Sequence, residues 1–302
     1  MIDAFEAAVR QRVDTIQAAL PPELVNDDTV LFLNGVREAN GTTIRQAPVA
    51  AQRALAKTRN PDISITQLVM VIEEDPTLGQ ALLRYANSAY YSTSGGDIVV
   101  SLKQAAQRVG TAGVRNVVLA GMLDGMLCRP GGSYQTMVEL VRGHMVRTAP
   151  IARAIALGFA VPNDDAFALG LLHDVGKLMV FDVIGTMRHE LRRDLAITRD
   201  AVHEVLKQLH EPLGGLAAAR WGLGDAVARA IATHHRAPVP EADDRMSELL
   251  FVAEQLEHAL SGVRPMALET WWQEGAIGGQ VARVADLVTR YTTMEAAAAV
   301  AA

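Results

Sequence analysis

Gly170-Leu171-Leu172-His173-Asp174-Val175-Gly176-Lys177 is the stretch on which the reading of this chain turns. It lies in the most apolar region of the sequence, Leu169 to Val183, which only His173, Asp174, Lys177 and Asp182 interrupt. These interruptions leave no apolar run long enough to span a bilayer. Burying an imidazole and a carboxylate among aliphatic neighbours is costly unless an ion or a partner satisfies both. Neighbouring residues on a helix diverge by about 100°, yet both can converge on an ion lodged beside that helix. Imidazole nitrogen with carboxylate oxygen is a good ligand pair for Mn, Fe, Zn or Ni. The competing reading is a metal-free clasp, in which His173 and Asp174 hydrogen-bond to a neighbouring helix.

Working outward, the pattern is helical on both sides. Asn163-Asp164-Asp165 reads as the cap of a helix from Ala166 to about Val180 that carries the His-Asp pair within it. Before it, a helix is expected from about Gln135 to Leu157, with Pro150 as a kink or break. After it, helices are expected near Asp200–His210, Leu213–Arg220, Asp225–His235 and Met246–Leu260. Further upstream, Ser64-Ile65-Thr66-Gln67 and Ser101-Leu102-Lys103-Gln104 have capping-box form, and Asp75-Pro76 reads as N-cap plus first-turn proline. Gly110 is a stop, and Pro130-Gly131-Gly132-Ser133 is a loop suited to joining two helical layers. The chain therefore reads as all-α with two helical subdomains. Residues 1–45 form a helical lead broken at Pro21-Pro22, 46–132 a first subdomain and 133–260 a second. Residues 261–302 form a C-terminal extension that ends in a frayed alanine-rich tail.

Composition narrows the function classes. Across 302 residues, 28 Lys and Arg face 34 Asp and Glu, a formal charge of −6. An acidic chain without a Lys/Arg block is a poor candidate for direct nucleic-acid binding. The one cysteine, Cys128, can form no internal disulfide and no paired zinc site, which fits a reducing cytoplasm. The opening Met1-Ile2-Asp3-Ala4-Phe5-Glu6 has no secretory character, so a soluble cytoplasmic protein without a membrane role is expected.

Other groups that could join the His-Asp pair stand on different predicted helices. His144 lies on the preceding one, and His210, His234-His235 and Glu254 lie downstream. Helical bundles build metal sites in this way, from inward side chains on facing helices. Taken alone, Glu254 reads as a solvated carboxylate, and His203 and His258 as satisfied core or surface residues. Lys177 could steer a phosphate or could snorkel. Trp221, Trp271, Trp272 and the run Asn87-Ser88-Ala89-Tyr90-Tyr91 read as packing residues, and Cys128 has no activating partner.

The 170–177 string resembles the core of the HD superfamily of metal-dependent phosphohydrolases. The whole region from about 45 to 260 resembles, more specifically, the HDOD family of bacterial signalling domains. The resemblance is carried by Asp75-Pro76 with Leu82-Leu83-Arg84-Tyr85-Ala86-Asn87-Ser88-Ala89, and by Ser101-Leu102, Ala105-Ala106 and Val109-Gly110. Glu204, His210, Gly214, Trp221 and Ile231 to His235 carry it further. It implies an all-helical fold in which a helical subdomain precedes an HD-type bundle, and a regulatory rather than an enzymatic role. By position, His144, His173 and Asp174 match the metal-binding His and His-Asp pair, and Glu254 stands where a later Asp is expected. Glu254 keeps the carboxylate but reaches about 1.5 Å further, one carbon–carbon bond, which argues against a tight active geometry. His210, His234 and His235 resemble the additional ligands of the HD-GYP branch, which hydrolyses cyclic di-GMP. In place of the Gly-Tyr-Pro of that branch, however, this chain has Arg236-Ala237-Pro238. The implied cofactor is a divalent metal (Mn, Fe, Ni or Zn), and the implied partner is a signalling protein or a nucleotide second messenger. The alternative is a metal-dependent phosphohydrolase, in which Asp174 would orient the ions and Lys177 would neutralise phosphate. The blandest reading is an inert helical scaffold.

Overall fold

The computed structural model describes residues 1–38, 49–58, 60, 62–88, 98–126, 134–236 and 244–261, and among these it contains helices and no strand. In chain order the helices are α1 (Ile2–Ala19), α2 (Asp27–Arg37), α3 (Val49–Thr58), α4 (Ile65–Ile72), α5 (Pro76–Ala86) and α6 (Leu102–Met126). They continue with α7 (Gln135–Ile155), α8 (Asn163–Leu172), α9 (Val175–Leu191), α10 (Arg199–Arg220), α11 (Asp225–Ala232) and α12 (Arg245–Leu260). Short 3-10 turns lie at Pro22–Leu24 and Ala156–Phe159. The Pro130–Ser133 loop, Cys128, Ala89 to Gly96, Ala237-Pro238, Trp271, Trp272 and the C-terminal extension lie outside the described residues.

The chain forms two compact units, residues 45–128 and residues 1–44 with 129–302. In the first unit, Ser64 accepts from the Gln67 amide at 3.2 Å and the Gln67 side chain answers the Ser64 backbone at 3.1 Å, a reciprocal cap that starts α4. The Asp75 carboxylate caps α5 through the Thr77 and Leu78 amides, with Pro76 in the first turn. Leu68, Ile72, Leu82 and Leu119 are fully buried where α4 and α5 meet α6. At Gly110 the backbone adopts φ 72° and ψ 177°, a region essentially closed to other residues, and α6 breaks there before continuing.

The other unit departs from the sequence reading in several places. First, the His-Asp pair is not within a helix: α8 ends at Leu172 and α9 starts at Val175, so His173 and Asp174 form the corner between them. Close packing of α9 on α10 accompanies this corner. A Cβ on Gly176 would lie 1.9 Å from the His210 carbonyl oxygen. Second, Asn163-Asp164-Asp165 supplies no side-chain cap. Asn163 is already helical, and Asp164 instead pairs with Arg153 of α7 at 3.1 Å. Third, the expected helices 200–210 and 213–220 are one helix, α10, which passes through Pro212. Proline removes the bond that would occupy the carbonyl four residues back. That carbonyl, on Gln208, accepts from Arg12 of α1 at 3.3 Å, so packing supplies the missing donor. Fourth, α7 likewise runs through Pro150 to Ile155. Finally, α11 ends at Ala232, which leaves His234 and His235 in the turn behind it. Among the described residues, no helix is long and apolar enough to cross a membrane.

Candidate metal centre

Side chains from six segments of the second unit meet around Asp174. His144 comes from the middle of α7, His173 and Asp174 from the α8–α9 corner, and Lys177 from the first turn of α9. His210 comes from α10, His234 and His235 from the turn after α11, and Glu254 from α12. His173, Asp174 and His234 are fully buried, and His210 and Glu254 nearly so.

Backbone carbonyls fix how the rings face. His173 Nδ1 lies 2.9 Å from Gly170 O, His210 Nδ1 2.6 Å from Leu206 O, and His234 Nδ1 2.7 Å from Ile231 O. A carbonyl only accepts, so each Nδ1 carries hydrogen and donates; in the neutral ring each Nε2 then presents a lone pair inward. The imidazole Nε2 atoms of His144 and His173 are 3.0 Å apart. Asp174 divides its two oxygens between neighbours. Its Oδ2 lies 2.7 Å from Lys177 Nζ, 3.5 Å from His173 Nε2 and 3.8 Å from His144 Nε2. Its Oδ1 lies 3.6 Å from His234 Nε2 and 3.9 Å from His210 Nε2. The Glu254 carboxylate stands 3.2 Å from His235 Nδ1.

The protonation states follow from burial and charge. Burial pushes His173 and His210 down to about 3, against the pull of Asp174, so both rings are neutral near pH 7. Burial favours a neutral Asp174, but His173, Lys177 and His234 outweigh it and hold the carboxyl well below the usual range. Burial likewise acts to raise Glu254, yet the histidines around it, led by His235, bring it down to about 2. His234 is raised, because Asp174 and Glu254 overcome the burial that opposes its charge.

Four buried side chains turn polar atoms toward one another. Asp174 Oδ1, His210 Nε2, His234 Nε2 and both Glu254 oxygens have no hydrogen-bond partner among the described residues. Each such orphan costs about 1–3 kcal/mol. A divalent cation can satisfy those that share a ligand set, and a mixed nitrogen and oxygen donor set is one that divalent metals accept. Ligand atoms lie within mutual reach in overlapping sets: His144, His173 and Asp174; Asp174, His210, His234 and His235; and His173, His234 and Glu254. These residues can hold a divalent metal.

The structure also adds groups that the sequence reading passed over. Glu257 is buried, with Oε2 2.6 Å from His144 Nδ1 and Oε1 2.7 Å from Arg147 Nε. Burial alone would raise its carboxyl, but His144 and Arg147 lower it. A carboxylate in this position fixes the ring of a ligating histidine and makes it more basic. His258, expected to be a satisfied core or surface residue, stacks on His144 with ring centroids 4.9 Å apart and stands with His144 and Glu254 in a further ligand set. The signal was the spacing of Glu254, Glu257 and His258, which puts all three on one face of a helix.

An uncharacterized protein of Treponema pallidum (strain Nichols) is 24% identical over 220 residues, which cover 71% of this chain and 41% of the relative. The chain thus spans less than half the length of that relative. A candidate metal-dependent phosphohydrolase from Shewanella amazonensis SB2B is similar in structure, with a TM-score of 0.61 at 14% identity over 80% of this chain and 85% of that one. An HDOD domain protein with unknown function from Geobacter sulfurreducens gives 0.58 at 21% identity, over 89% and 94%. These structural likenesses show the fold. The HDOD domain family model matches residues 44–237, and the chain therefore belongs to the HDOD family.

Proposed function

We propose that this protein is a regulatory HDOD module whose helical core carries a divalent metal centre, and that it acts by binding a signalling partner or a nucleotide second messenger. The observation that carries the metal centre is the cluster of buried polar atoms around Asp174 that lack hydrogen-bond partners among the described residues. In this reading His173 and His210 stay neutral and ready to ligate, because burial keeps protons off them. Asp174 sits between the ligand sets, with one oxygen toward each. Binding rather than turnover is favoured by Arg236-Ala237-Pro238, which follows His235 where a cyclic-dinucleotide-hydrolysing relative would carry Gly-Tyr-Pro.

The second reading, a metal-dependent phosphohydrolase, is favoured by one feature. The Lys177 ammonium is 2.7 Å from Asp174 and 23% exposed, so it stands at the edge of the centre where a phosphate charge would need neutralising. A divalent ion bound there supplies Lewis acidity that polarises a phosphoryl oxygen. Metal content of the protein purified without chelator, followed by incubation of the Mn-loaded protein with bis(p-nitrophenyl) phosphate and with cyclic di-GMP, separates the readings. Bound metal that is lost in Asp174→Ala, without multiple turnovers, supports the regulatory module. Multiple turnovers that vanish in Asp174→Ala put the phosphohydrolase in its place.

A further inference from the structure

The ligand sets around Asp174 are not equivalent. In the set of His144, His173 and Asp174, the inward atoms already stand against protein groups. The two Nε2 atoms face each other at 3.0 Å, and Asp174 Oδ2 accepts from the Lys177 ammonium at 2.7 Å. In the set of His210, His234, His235 and Asp174 the position is reversed. Asp174 Oδ1, His210 Nε2 and His234 Nε2 are buried without a hydrogen-bond partner among the described residues, and the fourth member, His235, is 39% exposed with its Nδ1 3.2 Å from Glu254. The orphaned carboxylate of Glu254 borders this second set, within ligand reach of His234.

Resting on the metal-centre reading above, we propose that the two positions fill in order: the His210 set takes the first ion, and Lys177 acts as a built-in cation that holds the His144 set back from a second. An ion entering the His210 set leaves the Lys177–Asp174 bond in place, serves buried polar atoms that lack partners among the described residues and meets up to four ligands. An ion entering the His144 set has three ligands. It must also draw Asp174 Oδ2 away from the Lys177 ammonium, a charge-assisted bond that is stronger than a neutral one. Lys177 can leave, because its side chain is partly exposed. The device makes the second ion conditional on whatever draws the ammonium outward. A phosphate-bearing ligand at the edge of the centre has the charge to do so.

The test is titration of the full metal-free chain with Mn(II), with free ion followed by electron paramagnetic resonance. One equivalent binds first, and a second binds more weakly by about tenfold or more. Lys177→Met, with Lys177→Gln as a check on shape, strengthens the second equivalent far more than the first. His210→Ala or His234→Ala removes the tight equivalent, whereas His144→Ala removes the weak one, each variant being checked for native helix content by circular dichroism. Two equivalents of equal affinity in the unaltered chain would overturn the order of filling and leave the metal centre standing. So would an equal rise at both positions in the Lys177 variants, or a tight equivalent that survives both His210→Ala and His234→Ala. No bound ion in any protein would overturn the metal centre itself and the order of filling with it.

Discussion

Gly176→Ala is the sharpest probe of how the fold holds the centre. The added methyl would stand 1.9 Å from the His210 carbonyl oxygen, 2.7 Å from its carbon and 2.8 Å from the Gly214 nitrogen. All three atoms belong to backbone, so no side-chain rotation relieves the clash. A carbon–oxygen contact of about 3.3 Å is the near limit, so α9 and α10 must part by roughly 1.4 Å at this level. Overpacking of this kind costs about 1–3 kcal/mol, and a rigid backbone neighbour puts it at the upper end. At about 2–4 °C per kcal/mol for a domain of this size, Tm falls by roughly 6–12 °C. The same displacement carries His210 with α10, and a site needing placement within about 0.5 Å loses ligand affinity. Gly110→Ala in the other unit is the contrast. Its φ of 72° makes the change strained, but no atom lies within 4 Å of the new methyl. It therefore lowers Tm and leaves metal binding unchanged. Thermal melts and Mn(II) titration of both variants decide the matter. A Gly176→Ala protein with the parental Tm and metal affinity would refute the argument that this close approach sets the position of His210.

Glu257→Gln keeps the shape of the side chain and removes the charge that holds His144 Nδ1 and Arg147; metal affinity falls about 10- to 100-fold, read by the same titration, and an unchanged affinity would assign Glu257 a packing role only. Asp28 accepts from Arg193 at 2.6 and 2.7 Å and from the Ala196 amide at 2.7 Å, and these bonds, led by Arg193, hold its carboxyl at about 2. A carboxyl lowered by folding adds stability above its unfolded value of about 3.9 and loses it as pH falls through the folded one. The Tm advantage over Asp28→Asn is therefore full at pH 6 and disappears as pH drops from about 4 toward 2, and a pH-independent difference would contradict this. Removing metal with a chelator lowers Tm and adding Mn(II) restores it: an ion at about 100 times its Kd adds about 2.7 kcal/mol, whereas Asp174→Ala responds to neither treatment.

Helix starts were legible where the chemistry is local. Ser64 with Gln67, and Asp75 with Pro76, place their own capping atoms within one turn, and the sequence contains every partner needed. Breaks and continuations were less legible because distant residues decide them. Nothing near Pro212 announces that Arg12, almost two hundred residues earlier, takes up the freed Gln208 carbonyl and lets α10 continue. The corner at His173-Asp174 was read as helix interior because the aliphatic pattern runs unbroken from α8 into α9. What marks the corner is the contact of Gly176 with α10, a tertiary fact that the local pattern does not contain. The polar residues of the centre were visible as residue types. Their roles depended on which ring nitrogen faces a carbonyl, and that is set by backbone geometry at Gly170, Leu206 and Ile231.

Glu254 shows how the two levels combine. Read by position, its extra methylene argued against a tight centre, on the assumption that the backbone stands where an aspartate would have it. In the structure the Glu254 side chain is 1% exposed, and its carboxylate reaches His173 and His234 and stands 3.2 Å from His235. A longer side chain on a helix set further back delivers the same group as a shorter one on a helix set closer. The length of residue 254 alone therefore does not separate binding from turnover. What speaks for binding rather than turnover is the Arg236-Ala237-Pro238 that follows His235. Lys177 stands on the other side of that balance, and its removal can be read directly in metal binding, without any assumption about substrate.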